Sequence, residues 1–168
     1  MTAEEFKILI DTKLGEGVVL SIDENATPQT LVVDSMKVEK VMALLKDDES
    51  SFCDLLSCLT AVDNGPETNT MEVIYNLYSI PLEHSLMVKT VISRENPEIE
   101  TVSHLWKTAN WHEREAFDLF GIIFNNHPDL RRILMPADWE GHPMRKDYEE
   151  PATYRGMKTI REEGDPTS

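Results

Sequence analysis

The residues best equipped for chemistry lie between Trp111 and Tyr148, where two His-Pro pairs, two of the three tryptophans, four arginines and a lysine sit among carboxylates. His112-Glu113 opens like a zinc-peptidase motif, but that pattern needs a second histidine at 116, and Ala116 stands there. His127 and His142 with Asp118, Asp129 or Asp138 could form a metal set, or the centre of a stand-alone hydrolase built on His127, His142 and Asp118. His-Pro pairs in loops also serve ordinary turn hydrogen bonds. His84 and His104 have no partners at useful spacing and read as surface or half-buried residues. Gly-x-Gly-x-x-Gly, phosphate-loop and Gly-x-Ser-x-Gly patterns are absent from the sequence. Arg131-Arg132 and Arg145-Lys146 could bind an anionic ligand. They could equally pair with Glu113, Glu115 and Asp118 and pin the following chain to a helix.

Charge narrows the partners. A net charge of −15 argues against nucleic acid, whose phosphates need clustered Lys and Arg. The distribution is uneven: from Pro128 onward nine acidic and seven basic residues leave −2, against −13 before it. That balance suits contacts with acidic groups on this chain or another. Cys53 and Cys58 are too few for a zinc or iron–sulfur ligand set and read as buried free thiols. No apolar run approaches the roughly 18 residues of a membrane span, and the acidic N-terminus lacks signal-peptide character. A cytosolic protein, or a soluble subunit docked on another, is the expectation.

The elements that must position these residues follow from periodicity. Ala3 to Leu14 predicts an amphipathic helix through Phe6, Ile10 and Leu14, stopped near Gly15. Val18–Ile22 and Thr30–Val33 predict short strands around a turn. Asp34 or Ser35 can cap a helix to about Lys46, with Met36, Val38, Val41, Met42, Leu44 and Leu45 as its stripe. Phe52 to Val62 leans towards a strand. Met71–Ser79 and Leu86–Ile92 alternate as an antiparallel pair, with Met71, Val73, Tyr75 and Leu77 on one face. The order predicts an α+β fold, helices packed on a mainly antiparallel sheet, over residues 1–124.

Thr101 to Lys107 reads as helical, with Val102, Leu105 and Trp106 on one face. If that helix ran on unbroken, Glu113 would fall on the apolar stripe, because 11 residues at 100° return close to Val102. A buried carboxylate is expensive. A break at Thr108-Ala109-Asn110 avoids it: Asn110 caps a second helix, and Glu113 completes a capping box. Arg114 and Asp118 then make an i,i+4 pair, and Gly121 ends the helix. Beyond it, Pro128, Pro136, Pro143 and Pro151 forbid helix, which predicts an extended C-terminal arm over 125–160 with Trp139, Tyr148 and Tyr154 as anchors. Its lack of periodicity implies a surface to lie on. Residues 161–168 are expected to be disordered.

The stretch resembles the signature of the 30-kilodalton subunit family of respiratory complex I, known in bacteria as the C subunit of NADH–quinone oxidoreductase. Glu113, Arg114, Glu115, Asp118, Leu119, Phe120, His127, Arg131, Ile133 and Leu134 meet it, and Asp138 to Tyr148 resembles the family's closing segment. Asn126 stands where the family's usual glycine is expected. The strong match covers about residues 101–150. The resemblance implies a non-catalytic subunit of a proton-translocating NADH dehydrogenase that carries no cofactor, FMN and iron–sulfur clusters belonging to partner subunits. It implies docking on the 49-kilodalton D subunit and the small iron–sulfur B subunit, which form the quinone site. It also implies a peripheral position on the cytoplasmic side of the membrane, reached only through the complex. The candidate interface comprises Glu113, Arg114, Glu115, Asp118, His127, Arg131, Arg132, Trp139, His142, Arg145, Lys146 and Tyr148. An alternative is the equivalent subunit of a membrane-bound energy-converting hydrogenase or ferredoxin-linked complex.

Overall fold

A computed structural model describes residues 1–23 and 25–159; the expected disordered tail at 161–168 lies outside them. The elements run α1 (Ala3–Leu14), β1 (Val19–Asp23), β2 (Thr30–Val33), α2 (Val38–Asp47), β3 (Leu55–Asp63), β4 (Thr70–Ser79), β5 (His84–Ser93), β6 (Glu98–Glu100), α3 (Lys107–Phe120), β7 (Ile123–Asn125), β8 (Thr153–Tyr154) and β9 (Met157–Lys158). The main sheet has the order β1-β2-β5-β4-β3, antiparallel throughout except where β2 lies parallel to β5. This is the α+β architecture expected.

Alternation decides which sheet face is covered. Met71, Val73, Tyr75 and Leu77 of β4 are buried beside Leu86 and Val88 of β5 and Leu56 and Leu59 of β3. Phe6 and Ile10 of α1 and Val38, Val41, Met42 and Leu45 of α2 belong to the same core. Thr2 and Glu5 form a capping box at the start of α1. Asp34 caps as expected, Met36 N–H donating to its carboxylate at 3.0 Å, but it opens a 3₁₀ turn (Ser35–Lys37) ahead of α2. Met36 therefore leaves the expected stripe and is 82% exposed. Cys53 is buried as expected, and burial pushes its thiol up to about 12. Cys58 is only half-buried, because it sits on the outer face of β3 at a register shift.

The helical reading of Thr101–Lys107 is overturned. Residues 101–106 form turns, and α3 runs unbroken from Lys107, so the break comes earlier than Thr108-Ala109-Asn110. Extended Trp106 precedes the helix (φ −128°, ψ 126°), and its indole N–H reaches Cys53 O at 3.2 Å. The Thr108 hydroxyl donates to Leu56 O at 3.2 Å, and Leu59 N–H to His112 Nδ1 at 3.3 Å. Side chains of α3 and the turn before it thus satisfy backbone groups of β3 and its approach, where no further strand pairs among the described residues. Tertiary bonds rather than a local cap set where this helix starts.

Candidate functional site

α3 carries two buried carboxylates, Glu113 at its middle and Asp118 in its last turn, and the second organises the arm. Asp118 has no exposed surface. Its carboxylate accepts backbone N–H bonds from Ile133 at 3.0 Å, Leu134 at 2.7 Å and Met135 at 2.8 Å, and the Arg132 guanidinium at 2.8 Å. Burial alone would raise its pKa, but these four donors outweigh it and hold the carboxyl below its usual range. The expected Arg114–Asp118 pair does not form. Arg114 instead donates to Arg131 O at 3.2 Å and lies over the Trp111 ring at 5.5 Å.

An α-helix leaves its last carbonyls without intrahelical partners and its C-terminal end partially negative. Here the arm supplies the partners. Arg132 donates to Asp118 O at 3.2 Å and to Gly141 O at 2.9 Å. His142 Nδ1 donates to Asp118 O at 3.0 Å, Met144 N–H to Leu119 O at 3.0 Å, and Arg145 Nε to Phe120 O at 2.7 Å. Burial lowers the His142 pKa, consistent with a neutral ring serving as a cap. Gly121 takes the left-handed conformation (φ 77°), and a Cβ there would lie 2.6 Å from His142 Nε2. The glycine thus lets the chain turn and the histidine approach.

A second anchor lies at the end of β3. Asp63 is buried and accepts from Gly65 N–H at 3.0 Å, Lys146 N–H at 2.8 Å and Arg94 at 2.9 and 3.2 Å. Burial opposes ionisation, yet these donors hold the carboxyl down at about 2. Arg94 also pairs with Asp147. Further along, the Trp139 indole N–H donates to Tyr148 Oη at 3.0 Å and the ring packs on Tyr154, with centroids 5.0 Å apart. Tyr154 and Arg155 both bond Asp138 from a short β8–β9 hairpin, which the sequence does not signal.

The expected cluster is therefore split. Asp118, Arg132, His142 and Arg145 come together at the end of α3; Lys146 reaches Asp63; Trp139 pairs with Tyr148. Arg131 is exposed and bonds Asp129 at 3.0 Å, and Glu115 is exposed on the outer side of α3. Glu113, far from capping Asn110, is fully buried, accepting from Val102 N–H at 2.7 Å and the Thr101 hydroxyl. The His127 side chain is buried at 3.8 Å from it. Asn126 takes φ 64°, a left-handed conformation Asn tolerates, which is how it fills the glycine's place. Asp63 and Arg94 escape sequence reasoning; the one signal is Asp63 opening a turn segment. Among the described residues no three His, Cys, Asp or Glu side chains are grouped to hold a metal. No described helix is long and apolar enough to cross a membrane.

Fold and site together define an α+β chain whose signature residues clasp a proline-rich arm onto one helix and one sheet end. Residues 31–154 match the family described as the respiratory-chain NADH dehydrogenase 30-kilodalton subunit, and the chain belongs to that family. The C subunit of NADH-quinone oxidoreductase from Chloroherpeton thalassium is 40% identical over 89% of this chain, which spans 62% of that relative's length. The Chlorobium phaeobacteroides protein of the same name is 41% identical over 89% of this chain and 90% of its own length. The solved structure of a trypsin-resistant fragment of Nqo5 superposes with a TM-score of 0.58 at 30% identity, covering 66% of this chain and 89% of that one. A chain of an archaeal membrane-bound sulfane sulfur reductase shares the fold, with a TM-score of 0.73 at 23% identity over 96% of each chain.

Proposed function

We propose that this chain is a non-catalytic, cofactor-free peripheral subunit of a proton-translocating NADH–quinone oxidoreductase. It docks on the D and B subunits at the cytoplasmic side of the membrane and stabilises the quinone-reducing module. The observation that carries the reading is the identity of about 40%, over most of the chain, to proteins named as the C subunit of that enzyme. The geometry is in keeping with it. Asp118, Arg132, His142 and Arg145 are engaged in holding the arm, while Trp111, Leu134 and Met144 stay 64%, 61% and 55% exposed. Exposed large apolar side chains beside arginines suit a protein interface better than a small-molecule site.

The test is purification of the tagged chain from membranes followed by mass spectrometry. The D and B subunits are expected in stoichiometric amounts. Recovery of a lone monomer would overturn the proposal, and recovery with a hydrogenase large subunit would favour the alternative complex.

A further inference from the structure

Glu113 is buried without the four donors that surround Asp118. Its Oε1 accepts Val102 N–H at 2.7 Å and its Oε2 the Thr101 hydroxyl. Thr101 Oγ1 accepts Ser103 N–H at 3.1 Å and lies 2.8 Å from Ser103 Oγ, a contact in which either oxygen can donate. Ser103 is half-exposed, so two hydroxyls lead from a fully buried carboxyl to the surface.

The groups facing Glu113 from the other elements do not neutralise it. Tyr75 of β4 interacts with it electrostatically, and its buried hydroxyl has no hydrogen-bond partner. From the turn after β7 comes His127, the only basic side chain within 4 Å among the described residues. Its Nδ1 accepts Asp129 N–H at 3.0 Å and its Nε2 donates to Asn110 O at 3.1 Å, so the ring is neutral. Burial lowers its pKa further, with Arg114 lowering and Asp129 raising it.

We propose that Glu113, Thr101 and Ser103 form a proton-exchange site, in which the buried carboxyl takes up one proton from water through two hydroxyls that reverse together. In the ionised state Ser103 donates to Thr101 and Thr101 donates to Glu113. On uptake, a hydronium ion or buffer acid at the surface gives its proton to Ser103 Oγ and leaves as water or buffer base, the Ser103 proton passes to Thr101, and the Thr101 proton passes to Oε2. The carboxylic acid then donates to Thr101, and Thr101 to Ser103. One proton enters, none is lost, and every hydroxyl keeps a partner in both states. Burial, opposed by the Thr101 and Val102 bonds, pushes the carboxyl up to about 7, so both states are accessible near neutrality.

The experiment is carbon-13 NMR of the full chain labelled at glutamate carboxyls, with the Glu113 signal assigned by its loss in Glu113→Gln. One carboxyl should titrate at about 7, about 2.5 units above the ordinary glutamate value. Thr101→Ser should keep that midpoint. Thr101→Val, which removes the bond favouring the ionised form, should raise it by about one unit, a tenfold tighter proton. A Glu113 carboxyl that stays ionised below about pH 5 overturns the site on the wild-type chain alone. So does a Thr101→Val midpoint equal to wild type.

Discussion

Glu113 and Asp118 sit five residues apart on one helix, neither with exposed surface, and they solve the same problem in opposite ways. Asp118 lies at the negative end of α3, the worse place for an anion. It stays ionised because the arm brings three backbone N–H groups and an arginine to it. Glu113 lies nearer the positive end but receives one N–H and one hydroxyl, and its carboxyl is pushed up to about 7. Donor count, rather than position along the helix, separates them. A carboxylate that fastens one segment to another needs a full set of donors; one that exchanges a proton needs fewer.

The sharpest way to break this comparison is Asp118→Ala. It strands Arg132 and three backbone N–H groups, and removing one partner of a buried charge pair costs about 3–5 kcal/mol. Chemical denaturation should show that loss, and limited proteolysis should cut the arm between 127 and 150. Because the folded carboxyl is lowered, its contribution is present above the unfolded aspartate value and is lost as pH falls through the acid range. An Asp118→Ala chain as stable and as protected as wild type would mean that this carboxylate does not hold the arm.

Glu113 has the reverse sign. Its folded pKa is raised, so its contribution is complete below the unfolded value of about 4.5 and is lost as pH rises towards about 7. The wild-type chain should lose on the order of 3 kcal/mol from this group between those limits. Glu113→Gln, measured by denaturation at both ends of the window, should flatten that part of the profile. An unchanged profile would mean that some other group titrates there.

Gly121→Ala probes the junction between the two regimes. A side chain at φ 77° is strained, and its Cβ would meet the His142 ring. The cost should be about 1–3 kcal/mol, read as a drop in melting temperature, since unusual backbone conformations are worth that much.

How far the sequence reaches can be judged at these positions. Alternation in Met71–Leu77 marks the buried face of β4 because a half-covered sheet imposes period two. Proline spacing reveals the non-helical arm, and Gly121 the end of α3. The start of α3 is not legible, because Trp106 and Thr108 bond to carbonyls of Cys53 and Leu56, more than fifty residues away. Avoidance of a buried carboxylate is sound as energetics but fails for Glu113, because the donors at Thr101 and Val102 arrive from a non-helical turn. The pairing of Asp118 with Arg132 rather than Arg114 is illegible for a similar reason: three consecutive N–H groups can only be counted once the arm's path is known.

The smallest expected effect separates two neighbours. Arg132 holds Asp118 with its side chain 18% exposed, whereas Arg131 bonds Asp129 with 72% and 52% of the two side chains exposed. Exposed pairs are worth little after solvent screening and side-chain entropy, so Arg131→Ala should change stability by less than about 0.5 kcal/mol. Arg132→Ala should approach the cost of Asp118→Ala, because it leaves the same buried charge less compensated. If the proposed docking is right, the ordering reverses at assembly. Arg131→Ala should leave the isolated chain intact yet weaken its recovery with the membrane complex, since its side chain is free to meet a partner where that of Arg132 is not. Equal stability losses for the two would mean that burial does not set the difference between them.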